Sequence, residues 1–196
     1  VCHLGNGASV SAIQGGRAID TSLGLTPLPG LVMGTRSGDV DPGLFAYLDR
    51  VAGMDAAAVD NMLNRSSGLA GLTGGSSDFR DLEAKIGQGD PDAKLAFDVY
   101  VHRLVSYIGA YIALLGSVSA LSFTAGVGEN SPFVRRAVCG RLAPLGFQLD
   151  QAANDAAFRC PDSRIISAAG SPVTVLVVPT NEELAMARAV LAQVRA

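Results

Sequence analysis

Several short polar stretches carry residue types suited to holding phosphate. Gly5-Asn6-Gly7, Gly74-Gly75 and Gly126 to Asn130 are glycine turns where bare backbone can approach a ligand, and N–H groups at a following helix start suit phosphate oxygens. Taken singly each also reads as an ordinary chain reversal, since Asn-Gly is a favoured hairpin turn. Met33 to Pro42 sets Arg36 between glycines with no apolar face to serve. A guanidinium there can reach the charged oxygens of a phosphoryl group in transfer, or it can tie its own loop through Asp39 or Asp41. Near the C-terminus, Thr180 and Glu183 fit a capping box, which leaves Glu182 free to hold Mg²⁺ directly or through water, or to compensate the helix dipole.

Other chemistries lack their residues. Neither a Walker A pattern nor G-x-G-x-x-G occurs, which argues against a P-loop NTPase or a Rossmann dehydrogenase. There is no G-x-S-x-G, and His3 and His102 are the only histidines, few bases for a serine or cysteine hydrolase. His102 falls within a long helical pattern and reads as structural. A net charge of −3 gives no electrostatic reason to expect nucleic acid or an anionic membrane as partner. Cys2, Cys139 and Cys160 are scattered, a pattern that fits a reducing cytoplasm better than a disulfide framework or a zinc site. No apolar run approaches the roughly 18 residues of a membrane span, and no signal-peptide pattern opens the chain. The expectation is a soluble, cytoplasmic protein. Val1 to Leu4 read as the end of a strand with no lead-in, so the chain is expected to begin in mid-protein.

The elements that must position these residues are legible from patterning. Val1 to Leu4, Ala8 to Ile13 and Arg17 to Thr21 predict a three-stranded antiparallel meander. The Gly- and Pro-rich stretch from Gly24 to Gly38 is too long for a mere connector. Asp41-Pro42, with Asp as cap and Pro at the first helical position, predicts one helix, and Asp55 opens a second that ends near Asn64. Ser66 to Ser77 reads as a second glycine-rich loop. Asp90-Pro91 starts a long helix, with Leu95, Val99, Ile108, Ile112 and Leu115 expected to be its buried face. Val118 to Thr124 predicts a buried strand, followed by the glycine turn and a helix from Ser131-Pro132. A last strand, Val173 to Val178, leads into a C-terminal helix. The class is α/β, with a mixed sheet, an antiparallel start and helices on both faces, in one domain over residues 1–196.

Taken in order, His3-Leu4-Gly5-Asn6-Gly7, the loop from Asp20-Thr21-Ser22 to Pro42, Asp78-Phe79-Arg80, Gly126-Val127-Gly128-Glu129-Asn130 and Pro179 to Glu183 resemble the acetate kinase family over essentially the whole chain. The resemblance implies a ribonuclease-H-like, actin-like ATPase domain, the C-terminal nucleotide-binding part of a two-domain kinase that moves a phosphoryl group between ATP and acetate. It implies that His3 to Gly7, Asp78 to Arg80 and Gly126 to Asn130 contact ATP or ADP, the first group near the phosphates and the last near adenosine. It further implies that Arg36 stabilises the transferring group, that Glu182 positions Mg²⁺ and that Pro27 lines the pocket for the acetate methyl. The family's acyl-binding residues lie in an N-terminal domain with no counterpart in this chain, so the fragment alone is expected to have little activity. A homodimer paired through this domain is implied as well. The alternatives are a propionate kinase using the same motifs, a nucleotide-binding or dimerisation module without chemistry, and, more distantly, an actin-like assembly protein.

Overall fold

In the computed structural model of the chain, which describes residues 1–194, six strands form one mixed sheet. They are β1 (Cys2–Leu4), β2 (Ala8–Gln14), β3 (Arg17–Thr21), β4 (Ala120–Thr124), β5 (Arg164–Ile165) and β6 (Thr174–Val177), in the spatial order β3-β2-β1-β4-β6-β5. The meander is present: β2 pairs antiparallel with both β1 and β3. Its second turn is Gly15-Gly16, with φ of 58° and 76°, the left-handed pair that a two-residue hairpin requires. The centre of the sheet is parallel, β1 with β4 and β4 with β6. The edge strand β5 runs antiparallel to β6.

Nine α-helices are described: α1 (Gly43–Ala52), α2 (Ala56–Arg65), α3 (Gly68–Thr73), α4 (Phe79–Gly87), α5 (Pro91–Leu115), α6 (Ala125–Asn130), α7 (Pro132–Leu142), α8 (Gln151–Ala156) and α9 (Glu182–Val194). Asp55 caps α2 through the Ala58 N–H at 2.8 Å, and Asp90 caps α5 through Asp92 and Ala93, as their positions predict. Helix α1 begins one residue later than expected, with Pro42 in the cap position and Asp41 accepting from the Gly43 N–H. Two stretches read as loops are helical. Ser66 to Ser77 contains α3, because buried Leu69 docks its turn against the Arg36 loop through Leu69 N–H to Met33 O and Ala70 N–H to Gly34 O. Gly126 to Asn130 belongs to α6 rather than to a turn before a helix. β5 and α8 have no counterpart in the sequence expectation.

One parity of the strands, Cys2, Leu4, Val10, Leu121, Phe123, Val175 and Val177, joins α5 and α7 in a single core. The buried stripe of α5 is Ala93, Ala96, Phe97, Tyr100, Val101, Leu104, Ile108 and Tyr111, which repeats every three or four residues. Of the expected face, Ile108 is buried and Val99, Ile112 and Leu115 pack partly buried against the core, but Leu95 is 56% exposed; small alanines and tyrosines complete the contact. His102 lies exposed on α5. α9 buries none of its residues. No described helix is long and apolar enough to cross a membrane.

Arg135, on α7, is fully buried and donates to no carboxylate. Its five N–H groups all find oxygen acceptors: Nε donates to Asn154 Oδ1, Nη1 to the carbonyls of Gly128 and Glu129, and Nη2 to those of Asn154 and Ala157, at 2.7 to 2.9 Å. Burial lowers its pKa to about 10, so it stays cationic at neutral pH. One side chain thereby fastens the C-terminal turn of α6 to α8. Replacing it with leucine strands these buried acceptors; Arg135→Leu is expected to lower folding stability by on the order of 3 kcal/mol, read as a shift in the urea midpoint.

Candidate functional site

Parallel register brings three strand ends to one rim, with His3 beside Thr124 and Phe123 beside Val177. The carboxyl ends of parallel strands are where open α/β sheets hold ligands, because the connecting loops converge there. A cleft of about 640 Å³ opens at this rim. It is lined by Gly5 and Asn6 of the turn after β1, Gly34 of the Arg36 loop, Ser77 to Arg80 with Glu83, then Gly126, Val127, Asn130 and Ser131, and finally Phe158 and Arg159. A second, polar opening of about 780 Å³ contains Arg36, Thr26, Thr35, Asp60, Asn61, Asn64 and Arg65. A third depression, of about 560 Å³, holds His3, Ala125, Gly126 and Thr180 to Glu183. Asn6 borders the first and second, and Gly126 the first and third, so the three are contiguous.

Motifs distant in sequence meet at close quarters. The Gly34 N–H donates to Asn6 O at 3.0 Å, and a Cβ on Gly34 would stand 2.0 Å from Asn6 Oδ1. Arg36 Nη1 lies 3.1 Å from where a Cβ on Gly7 would be. Glycine at Gly34 is therefore a condition of the approach, while a side chain at Gly7 would crowd the Arg36 guanidinium. Among the described residues Arg36 pairs with no carboxylate; Met33 Sδ, at 3.9 Å, is its only recorded acceptor. Asp39 and Asp41, the acidic residues of its own loop, are engaged elsewhere. Asp39 accepts from the Gly30 N–H at 2.8 Å, Tyr107 Oη at 2.7 Å and Arg103 Nη1 at 3.5 Å. This knot closes the loop neck and fastens it to α5. Burial first, and then the bond to Asp39, push the Tyr107 phenol up to about 12.

The Asp78-Phe79-Arg80 segment is anchored by its middle residue. Phe79 is 8% exposed and packs edge-on against Tyr100, with ring centroids 4.7 Å apart, while its neighbours stay at the rim. Asp78 caps α4 through the Arg80 N–H and chelates the Arg80 guanidinium, which holds its carboxyl below the usual range. Asn130 donates to Gly126 O and accepts from the Arg159 N–H, which carries Phe158 and Arg159 to the cleft.

Other expected contacts sit differently. Leu4 is fully buried, and Gly128 packs on Phe123 and Leu4, so both build the floor beneath the cleft rather than its wall. Gly5 spends its N–H on Gly7 O. Glu129 turns its carboxylate to the protein: Oε1 accepts from the Ala125 N–H, the Thr180 N–H and the Thr180 hydroxyl, at 2.8 to 2.9 Å. The predicted Thr180–Glu183 capping box is therefore not formed, since Asn181 Oδ1 caps α9 through the Leu184 N–H at 3.0 Å. Glu182 lies free at the rim, its Oε1 3.7 Å from His3 Nε2 and its side chain 70% exposed. Among the described residues no group of three or more acidic, His or Cys side chains is placed to enclose a metal. A single exposed carboxylate instead suits Mg²⁺, which keeps several waters and is completed by substrate phosphates. Pro27 is exposed on its loop and lines none of the three depressions. Glu83, Phe158 and Arg159 line the cleft without any sequence motif that could have indicated it; their spacing is set only by how α4 and the α8–β5 connection pack.

The sequence profile of the acetokinase family matches residues 1–188. The chain is 59% identical over its whole length to an acetate kinase of Leifsonia xyli, of which it covers 49%, and 55% identical over 95% of its length to one of Streptomyces coelicolor, of which it covers 45%. It superposes on the crystal structure of Porphyromonas gingivalis acetate kinase with a TM-score of 0.90 at 44% identity, covering 97% of this chain and 47% of that one. A propionate kinase from Francisella tularensis gives 0.86 at 42%, covering 93% and 46%. The chain thus spans about half the length of the relatives it matches, and its fold is the actin-like ATPase fold of those structures.

The Tyr107–Asp39 knot has a pH signature. Because the folded state holds the phenol proton more tightly than the unfolded chain, its contribution is complete below the ordinary tyrosine pKa of about 10 and is lost as pH rises to about 12. Melting temperatures measured across that interval should fall less steeply for Tyr107→Phe than for the wild type.

Proposed function

The chain belongs to the acetokinase family, and from that premise we propose that it is the nucleotide-binding half of an acetate kinase, which transfers a phosphoryl group reversibly between ATP and acetate. The observation that carries the reading is the continuity of three sites on one rim: a cleft of about 640 Å³, an arginine with no carboxylate partner, and a free glutamate beside a histidine. Phosphoryl transfer asks little covalent chemistry of a protein; it asks for positioning and for charge neutralisation.

In this reading the nucleoside lies along Asp78 to Arg80, Gly126, Val127 and Asn130, with Phe158 and Arg159 closing its end. The phosphates run past Gly5 and Asn6 toward Arg36. A carboxylate oxygen of acetate attacks the γ-phosphorus in line, the bond to the bridging oxygen breaks toward ADP, and no proton need move. Arg36, held within reach of Gly7 but unneutralised, meets the charge gathering on the equatorial oxygens. Glu182, with His3 beside it, would hold Mg²⁺ through water or directly, and the ion would supply charge neutralisation on the phosphates. The relatives are about twice as long, so the acyl-binding groups are proposed to lie in a domain outside these 196 residues. Pro27 would then need that second surface to form a methyl pocket. Pairing of two copies through this part, and a cytoplasmic location, belong to the same proposal.

In the full-length protein, Arg36→Ala is expected to lower kcat by about two to three orders of magnitude while changing the KM for MgATP far less. Unaltered turnover would remove Arg36 from the mechanism. The isolated chain should bind ATP yet turn over acetate little if at all; substantial activity from it alone contradicts the division into halves. Relative turnover of acetate and propionate decides the acyl preference.

A further inference from the structure

We infer that Glu129 is a positioning residue that locks the nucleotide-cleft helix α6 to the metal-side start of α9, so that the nucleoside and the phosphates of a bound nucleotide meet groups in fixed register. The inference rests on the nucleotide reading above.

The geometry is specific. A single carboxylate oxygen, Oε1, receives three hydrogen bonds, from the Ala125 N–H at 2.8 Å and from the Thr180 N–H and hydroxyl at 2.9 Å each. The donors belong to the segments that leave β4 and β6, neighbouring parallel strands. Beyond Phe123 and Val178 N–H to Phe123 O the ladder between those strands ends, and the chains diverge, one into α6 and the other into α9. Glu129 is the bridge across that gap. It also holds Ala125 at φ 64°, a left-handed conformation that alanine does not favour, and this sharp exit is what turns Gly126 and Val127 to the cleft.

Two sites depend on the bridge. Gly126, Val127 and Asn130 line the nucleotide cleft, while Asn181 and Glu182 follow directly after Thr180, and Glu182 faces His3. No other recorded hydrogen bond joins residues 125–130 to residues 179–183. A carboxylate serves here because one oxygen must accept from three donors in different directions, and negative charge strengthens each bond. Glutamine would keep the acceptor oxygen but not the charge; aspartate, shorter by one methylene, could not span the gap.

The test uses the full-length protein with purified variants Glu129→Gln, Glu129→Ala, Thr180→Val and the double variant Glu129→Ala/Thr180→Val. Nucleotide binding is measured by calorimetry with ADP, with and without Mg²⁺, alongside steady-state constants for MgATP and acetate. Glu129→Ala is expected to raise the KM for MgATP and the Mg²⁺ concentration for half-maximal rate by about tenfold or more, the usual size for losing a group that orients a ligand-binding residue. The KM for acetate should be unchanged, and Glu129→Gln should recover most of the loss. Thr180→Val, which removes only the hydroxyl's bond, should show a smaller defect of the same kind, and the double variant should be no worse than Glu129→Ala, since that hydroxyl acts only through the Glu129 carboxylate.

Wild-type Mg²⁺ and MgATP constants for Glu129→Ala would overturn the inference while leaving the nucleotide reading intact. Glu129→Gln as impaired as Glu129→Ala would also overturn it, since the amide keeps the acceptor oxygen on which the bridge depends. If Glu129→Ala does not fold, Thr180→Val and Glu129→Gln carry the test: a Mg²⁺ and MgATP defect in the first, largely absent from the second, supports the bridge, and wild-type behaviour of Thr180→Val overturns it. Failure of the wild type to bind ADP at all would instead overturn the nucleotide reading, and this inference with it.

Discussion

Parallel pairing of β1 with β4 and of β4 with β6 ends all three strands at one level, and the candidate site is arranged around that fact. A strand cannot continue past its last ladder bond without finding new partners for its backbone, so each chain must turn where its neighbour turns. The turn after β1, the exit of β4 into α6 and the exit of β6 into α9 therefore share one rim. The antiparallel meander beyond β1 contributes differently: it returns the chain over β2 and β3 and releases the Arg36 loop, which must come back to the same rim to meet Asn6 and Gly7.

Holding these exits in place takes polar chemistry buried under the rim rather than apolar packing alone. Arg135 satisfies all five of its donors with protein oxygens, four of them backbone carbonyls. Carbonyls at the ends of helices lack intrahelical partners, and a guanidinium is one of few groups able to serve several at once. It joins α6 to α8 from below, and Glu129 joins α6 to the β6 exit from the side. Between these anchors α6, only 6 residues long, is held far more firmly than its own hydrogen bonds could hold it.

The Arg36 loop follows the same logic on the other flank. Its neck is closed by Asp39, bonded to Gly30 N–H, Tyr107 and Arg103, and its tip rests on α3 through Met33 O and Gly34 O. Because Asp39 and Asp41 are occupied, Arg36 is left without a counter-charge. An exposed arginine free of partners is unremarkable, but one delivered by a clamped loop to a glycine turn at a strand rim is poised to meet a ligand's charge. Clamping matters because an arginine that must be ordered at the moment of binding loses the side-chain entropy that this loop has already surrendered.

Local signals in the sequence were enough to determine the meander, the Asp55 and Asp90 helix starts, the strand at Leu121 and Phe123, and the glycine-flanked Arg36, since turns, caps and alternation depend on neighbours within a few residues. The ordered motifs were enough to point to the family. Packing alone decided the rest. Whether Ser66 to Ser77 and Gly126 to Asn130 are loops or short helices depended on contacts with Met33 and Gly34, far along the chain, and with Arg135, which is itself fastened to Asn154 and Ala157. The capping box at Thr180 looked right locally, yet Glu129, 51 residues away, took Thr180, and Asn181 took the cap. Two equally good local hydrogen-bond solutions differ only in what else surrounds them, and that information resides in the tertiary structure.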